Sequence, residues 1–226
     1  MKFIVFGLGH FGHALSARLT QMGHEVLGID KNMDRIETFK EDISHALCMD
    51  STDKISVKGL PLKDADAVIV AIGEKEGPSI MTTALLKKFK VKRIITRVIS
   101  PLHKTIIEAM GITEFIDPET ETAERLAGTL DIKGVIDSFQ ISEKYRIMEI
   151  DVPIKYVGQS IEDASFQTKY RVTLLTIIRN TIKENSLGVE VSQRQVLGVL
   201  PTDFIMESKD VLVLFGELKD IEKLMR

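Results

Sequence analysis

The chain has 226 residues, 44% of them hydrophobic, so it can bury a real core and is not a disordered tail. Its 30 Lys and Arg against 33 Asp and Glu give a net charge of −3 with no basic block, which argues against a nucleic-acid protein. Cys48 is the only cysteine, which excludes an internal disulfide and a cysteine-built metal cluster; a buried, inert thiol in a reducing compartment is expected.

The first element is carried by "KFIVFGLGHFGHALSARL", residues 2–19. One lysine, an apolar run and small residues resemble a secretory signal peptide. Three glycines and two histidines, however, make a poor apolar helix. The alternative explains more. Phe3–Phe6 is a short run rich in β-formers, as in a buried parallel strand. Gly7, Gly9 and Gly12 then spell G-x-G-x-x-G, and Phe11, Leu15, Leu19 and Met22 recur at helical spacing. Strand, glycine turn and helix form the dinucleotide-binding context. Gly7 would permit the tight turn, Gly9 the close approach of a pyrophosphate, and Gly12 close helix–strand packing. The helix N-terminus offers free N–H groups to phosphate. A second strand, Glu25–Ile29, ends in Asp30, an acid placed to accept from ribose hydroxyls and to disfavour NADP.

The alternation continues. Helix is expected over 32–42 and strand over His45–Met49, followed by the polar cluster Asp50, Ser51, Thr52 and Asp53. That cluster can line a ligand site or cap the helix at Lys54–Lys58, and the two readings are compatible. Strands follow at Ala67–Ile72, Arg93–Val98 and Glu114–Ile116, with helices at Gly77–Phe89, Pro101–Met110 and Pro118–Leu130. This β-α-β order predicts a Rossmann-like, doubly wound parallel sheet over residues 1–136. Residues 137–226 are expected to form a smaller α+β domain, with strands at Tyr145–Val152, Val172–Ile178 and Val211–Phe215 and a closing helix at Leu218–Met225. No apolar run approaches the ~20 residues of a membrane span, so work at a membrane requires docking onto a protein already there.

Enzyme chemistry finds few candidates. A dehydrogenase needs a proton-transfer group. All five histidines, His10, His13, His24, His45 and His103, fall in the first domain, and no H-E-x-x-H, G-x-S-x-G or Walker lysine motif occurs. His10 and His13 have a metal-like i, i+3 spacing without a third ligand nearby; His10 is expected to face phosphate and His13 to be solvated. The chain reads as a nucleotide sensor rather than an enzyme.

"GLGHFG", Asp30, "CMDSTD", "ADAVIVAIG" and "FIDPETE", followed by this second domain, closely resemble the regulatory subunits of Ktr and Trk potassium uptake systems. These are the RCK (KTN) family, with TrkA-like and KtrA-like members. The resemblance covers nearly the whole chain. It implies a cytosolic ring, dimer to octamer, that gates an integral-membrane, TrkH- or KtrB-like potassium-translocating subunit from the inner face of the membrane. It implies an ADP, ATP or NAD(H) site. Gly7, Gly9 and Gly12 would cradle phosphates, with His10 and Phe11 beside them, and Asp30 and Lys31 would hold the ribose side. Asp50, Ser51 and Thr52 would lie by the base, Ala71, Ile72 and Gly73 on the floor, and Arg97 near phosphate. Glu119 would reach a neighbour's nucleotide, through a divalent cation in some members, and is the candidate metal ligand. Where Ktr subunits usually carry an arginine this chain has His10, which implies a weaker or pH-dependent response to a γ-phosphate. In some relatives the second domain binds a cyclic dinucleotide; Lys169, Tyr170, Arg179 and Pro201 fall in that region, where ordinary surface residues are the simpler expectation.

Two helices look more apolar than one buried face requires. Ile80, Met81, Ala84, Leu85 and Leu86 nearly encircle one, and Leu102, Ile106, Ile107 and Met110 crowd the other, which points to contacts with further copies. An NAD-dependent oxidoreductase and a redox-sensing DNA regulator remain alternatives on the same fold. The first lacks a proton-transfer group, and the second lacks a basic helix pair.

Overall fold

The computed structural model describes residues 1–184 and 190–226. Contacts divide the chain into two compact units, Met1–Glu119 and Thr120–Arg226.

The first unit alternates strand and helix: β1 (Lys2–Phe6), α1 (His10–Gln21), β2 (Glu25–Asp30), α2 (Met33–Phe39), β3 (His45–Cys48), α3 (Lys54–Lys58), β4 (Ala67–Val70), α4 (Glu76–Lys88), β5 (Ile94–Arg97), α5 (Pro101–Ala109) and β6 (Glu114–Ile116). The six strands form a parallel sheet in the order β3-β2-β1-β4-β5-β6. Central strands of such a sheet are covered on both faces and need continuous apolar runs. β4, Ala-Val-Ile-Val, is buried at every position. One face packs Ile4, Phe6, Val68 and Val70 with Leu86 and Ile107; the other packs Val5, Ile69 and Ala71 against Phe11, Leu15 and Leu19 of α1. The strand order reverses between β1 and β4, which opens a crevice at the strands' C-terminal ends.

Local signals set the helix starts. Asn32 caps α2 by accepting from the Asp34 N–H at 2.8 Å. Asp53 caps α3, accepting from the N–H groups of Ile55 and Ser56. Ser100 caps α5 ahead of Pro101. α4 buries Ser79, Thr82, Thr83 and Leu86 and turns Met81 outward, 54% exposed; on α5, Leu102 is 65% exposed.

Helix α6 (Pro118–Asp131) carries the chain across the division between the units. Then come β7 (Val135–Gln140), β8 (Tyr145–Asp151), the short helices α7 (Ile161–Ala164) and α8 (Phe166–Tyr170), β9 (Thr173–Glu184), β10 (Glu190–Val196), β11 (Asp210–Glu217) and α9 (Leu218–Met225). The strands form an antiparallel sheet in the order β10-β9-β11-β8-β7. Ile221 and Leu224 of α9 pack on Met148, Ile150, Leu212 and Leu214. Arg179 lies against Asp210 through paired bonds of 2.7 and 2.8 Å and also bonds Glu207 at 2.9 Å.

One expectation changes. Cys48 is exposed, not buried, because β3 is an edge strand whose residues are exposed except for a half-buried Ala46. After α6, Gly134 sits at φ +87° and Val135 opens β7 of the second sheet.

Candidate functional site

The glycine turn works through backbone constraints that can be read atom by atom. Gly7 sits at φ +95°, a region that L side chains rarely adopt. A Cβ on Gly12 would fall 1.9 Å from the Gly7 carbonyl oxygen, so α1 meets the turn only through a glycine. At Gly9 a Cβ would meet no atom within 4 Å. Gly9 is also the N-cap of α1, with no side-chain cap and no acid in the first turn. The helix start therefore faces open space with its N–H groups available to an anion.

That space is a cavity of about 450 Å³ at the C-terminal ends of β1, β2, β4 and β5. Gly7, Gly9, His10, Phe11, Asp30, Lys31, Asp50, Ser51, Thr52, Ala71, Ile72, Gly73, Arg97 and Glu119 all line it. Of the sequence-derived set only Gly12 lies behind the wall, in the helix–turn contact.

Asp30 is buried and already engaged. Its Oδ2 accepts from the Leu8 N–H at 2.8 Å and its Oδ1 from the Asn32 N–H at 2.9 Å. The carboxylate thus fastens the glycine turn to the end of β2. Two carboxylate oxygens offer about four acceptor positions, so capacity remains for a ligand hydroxyl. In the polar cluster the labour is divided. Asp53 caps α3, while Asp50 closes its own turn by accepting from the Thr52 N–H and Oγ1, which hold its carboxyl below the usual range. Ser51 accepts a 2.8 Å bond from Thr82 of α4.

On the opposite wall, Arg97 pairs with Glu119 and sits 5.9 Å from the Phe11 ring centre. A Cβ on Gly73 would lie 2.3 Å from Arg97 Nη1, so Gly73 makes room for the guanidinium. The buried Nε of Arg97 has no hydrogen-bond partner among the described residues. No group of three or more His, Cys, Asp or Glu is placed to hold a metal ion among the described residues.

Several wall residues escaped the sequence reading: Leu8, Ile29, Arg35, Phe39, Met49, Glu74, Lys75 and Pro78. Arg35 and Phe39 stand four apart on α2, a spacing that does put both on one face. Arg35 bonds Asp30 and Glu74, and it holds Glu74 below the usual carboxylate range. His13 is half-buried rather than freely solvated. It stacks on Phe39 with ring centres 3.8 Å apart, and its Nε2 bonds Asp42 at 2.9 Å.

A six-stranded parallel sheet with a glycine turn at its switch point defines a Rossmann-like domain, here followed by an antiparallel-sheet unit. The TrkA-N domain model matches residues 3–118. Ktr system potassium uptake protein C of Bacillus subtilis is 31% identical over 98% of this chain and 95% of its own. The chain therefore belongs to the TrkA-N family, in its potassium uptake branch. Among solved structures, the GsuK RCK domain superposes with a TM-score of 0.66 at 16% identity, over 99% of this chain and 46% of that one. The GsuK channel bound to NAD gives 0.65 at 16%, over 100% and 39%. This chain spans less than half of either, and the likeness bears on fold.

Proposed function

We propose that the chain is a nucleotide-sensing regulatory subunit of a potassium uptake system, without catalysis of its own. The carrying observation is the cavity itself: one 450 Å³ space bounded by the glycine turn, an uncapped helix start, Asp30 and Arg97. An adenine nucleotide fits that order of groups, with phosphates at Gly9 and Arg97 and ribose at Asp30. ADP, ATP and NAD(H) share the required part.

The family relationship supports a membrane potassium-translocating partner. No helix among the described residues is long and apolar enough to cross a membrane, so this reading places the subunit against the partner's cytoplasmic face. The outward apolar residues Met81 and Leu102 support assembly with further copies, from dimer to ring. A divalent cation at Glu119 would need ligands from the nucleotide or from a second copy. In the second unit Arg179 is held by Asp210 and Glu207, which leaves it little capacity for a cyclic dinucleotide. The proposed domains remain residues 1–136 and 137–226.

Thermal melting with ADP, ATP, NAD and NADH tests the reading. A ligand at ~100 times its dissociation constant should stabilise the fold by about 2.7 kcal/mol. Arg97→Ala should reduce the shift for the phosphate-rich ligands most. Failure of all four ligands to raise the melting temperature overturns the proposal, and nucleotide turnover would overturn its non-enzymatic part.

A further inference from the structure

An acid–base–acid chain crosses the rim of the cavity. Arg35 reaches Asp30 Oδ2 with Nη1 at 3.4 Å and bonds Glu74 Oε1 with Nη2. All three side chains line the cavity. In this fold an acid at the end of the second strand meets ribose hydroxyls, and a nearby arginine is the group that accommodates a 2′-phosphate. This chain carries both, so the acid alone does not settle which ribose is accepted.

Glu74 supplies the missing element. Asp30 is fixed by the Leu8 and Asn32 N–H groups and occupies one nitrogen of Arg35. Glu74 takes the other. The trio carries one net negative charge, and the guanidinium's terminal nitrogens are both turned to carboxylates. A 2′-phosphate beside Asp30 would meet repulsion from the two carboxylates and a guanidinium whose two terminal nitrogens are already engaged. The loop that bears Glu74 is itself pinned, because Gly73 packs directly against Arg97. We propose that Glu74 is a specificity-determining residue that closes Arg35 to a 2′-phosphate, so that the cavity takes adenine nucleotides with a free 2′-hydroxyl. The inference rests on the nucleotide reading above. Glu74 is 66% exposed, so its pair with Arg35 adds little to folding and acts on ligand charge instead.

The test measures binding of 5′-AMP, adenosine 2′,5′-bisphosphate, NAD and NADP to the full chain, to Glu74→Gln and to Glu74→Gln/Arg35→Ala. Melting of each protein is recorded first. Wild type should favour 5′-AMP and NAD over their 2′-phosphorylated counterparts. Glu74→Gln should shift that ratio about tenfold toward the 2′-phosphorylated ligands, the scale of one charge acting across a few ångströms near a protein surface. The gain should vanish in the double variant and shrink as salt rises. An unchanged ratio in Glu74→Gln, or a gain that survives loss of Arg35, overturns the inference while 5′-AMP still binds. Binding of none of the four to wild type is a different result: it removes the nucleotide reading and this inference with it.

Discussion

The cavity of the first unit and the sheet of the second treat their polar groups differently. In Thr120–Arg226 several polar side chains are turned on each other: Arg179 on Asp210 and Glu207, Arg194 on Glu149, Arg125 on Asp137, and the Tyr156 hydroxyl on that of Tyr170 at 2.8 Å. In Met1–Glu119 the groups around the cavity keep spare capacity: an uncapped helix start and a carboxylate with open lone pairs. Closed pairs favour a single rigid arrangement. Unfinished ones favour a ligand. The comparison predicts that substitutions around the cavity of the first unit alter nucleotide binding, and those in the second unit alter stability alone.

Gly12→Ala should have the largest effect. Its Cβ would press on backbone, the Gly7 carbonyl at 1.9 Å, which has no flexible end to yield. Overpacking of this kind costs about 3 kcal/mol, and the displaced turn should also lose adenine nucleotides. Urea unfolding and a nucleotide titration on the same sample check both. Retained binding at lowered stability would break the link between turn and site.

Asp210→Ala is the counterpart in the second unit. Asp210 is 1% exposed and holds Arg179 through two bonds as well as the Glu207 N–H at 2.9 Å. Breaking a wholly buried pair costs 3–5 kcal/mol, but Arg179 is partly solvated and keeps Glu207, so about 2 kcal/mol is expected. Nucleotide affinity measured on the folded variant should equal that of wild type.

The parts of this architecture readable beforehand are those whose pattern comes from local chemistry. Lys54–Lys58, Glu114–Ile116 and Leu218–Met225 appear with the expected bounds, because caps, short apolar runs and a strongly amphipathic period define them. The polar strand β10 is not readable: the sequence Glu-Val-Ser-Gln-Arg-Gln-Val is mostly polar, and its strand state comes from pairing with β9. β7 was hidden for a related reason, since its pairing with β8 shifts register between Val135 and Asp137 and breaks the alternation. At the site, the glycines and Asp30 announce themselves through motif spacing. Arg35, Phe39 and Glu74 do not, because only the packing of α2 beside the loop after β4 brings them to one rim.

His103 offers a pH-dependent test of the first unit's interior. It is wholly buried on α5, and neither ring nitrogen has a partner among the described residues. Burial pushes its pKa below the ordinary 6.5, with the Glu76 carboxylate opposing. The folded state therefore prefers the neutral ring. Stability from this group is complete above pH 6.5 and is lost as pH falls below 6.5 toward the depressed value. Denaturation midpoints at pH 7.5 and pH 5 should differ more for wild type than for His103→Leu. Equal differences would mean that the ring charges without penalty.

The smallest effect should come from His13, and it separates a wall that is merely present from one that is held in place. His13 stands on α1, one turn into the helix that begins at the glycine turn, and covers the face of Phe39, the last residue of α2. Its Nε2 contact with Asp42 fixes the ring in that plane. Phe39 itself lines the cavity. A stacked aromatic pair is worth about 1 kcal/mol beyond its buried area. His13→Ala should therefore lower stability by about that much and weaken adenine nucleotides a few-fold through a looser Phe39. His13→Phe should keep the stack while removing the bond to Asp42. If the phenylalanine variant restores affinity, packing of the wall is what counts. If it does not, the tie to Asp42 fixes the end of α2, and the first unit too relies on a closed polar pair beside its open ones.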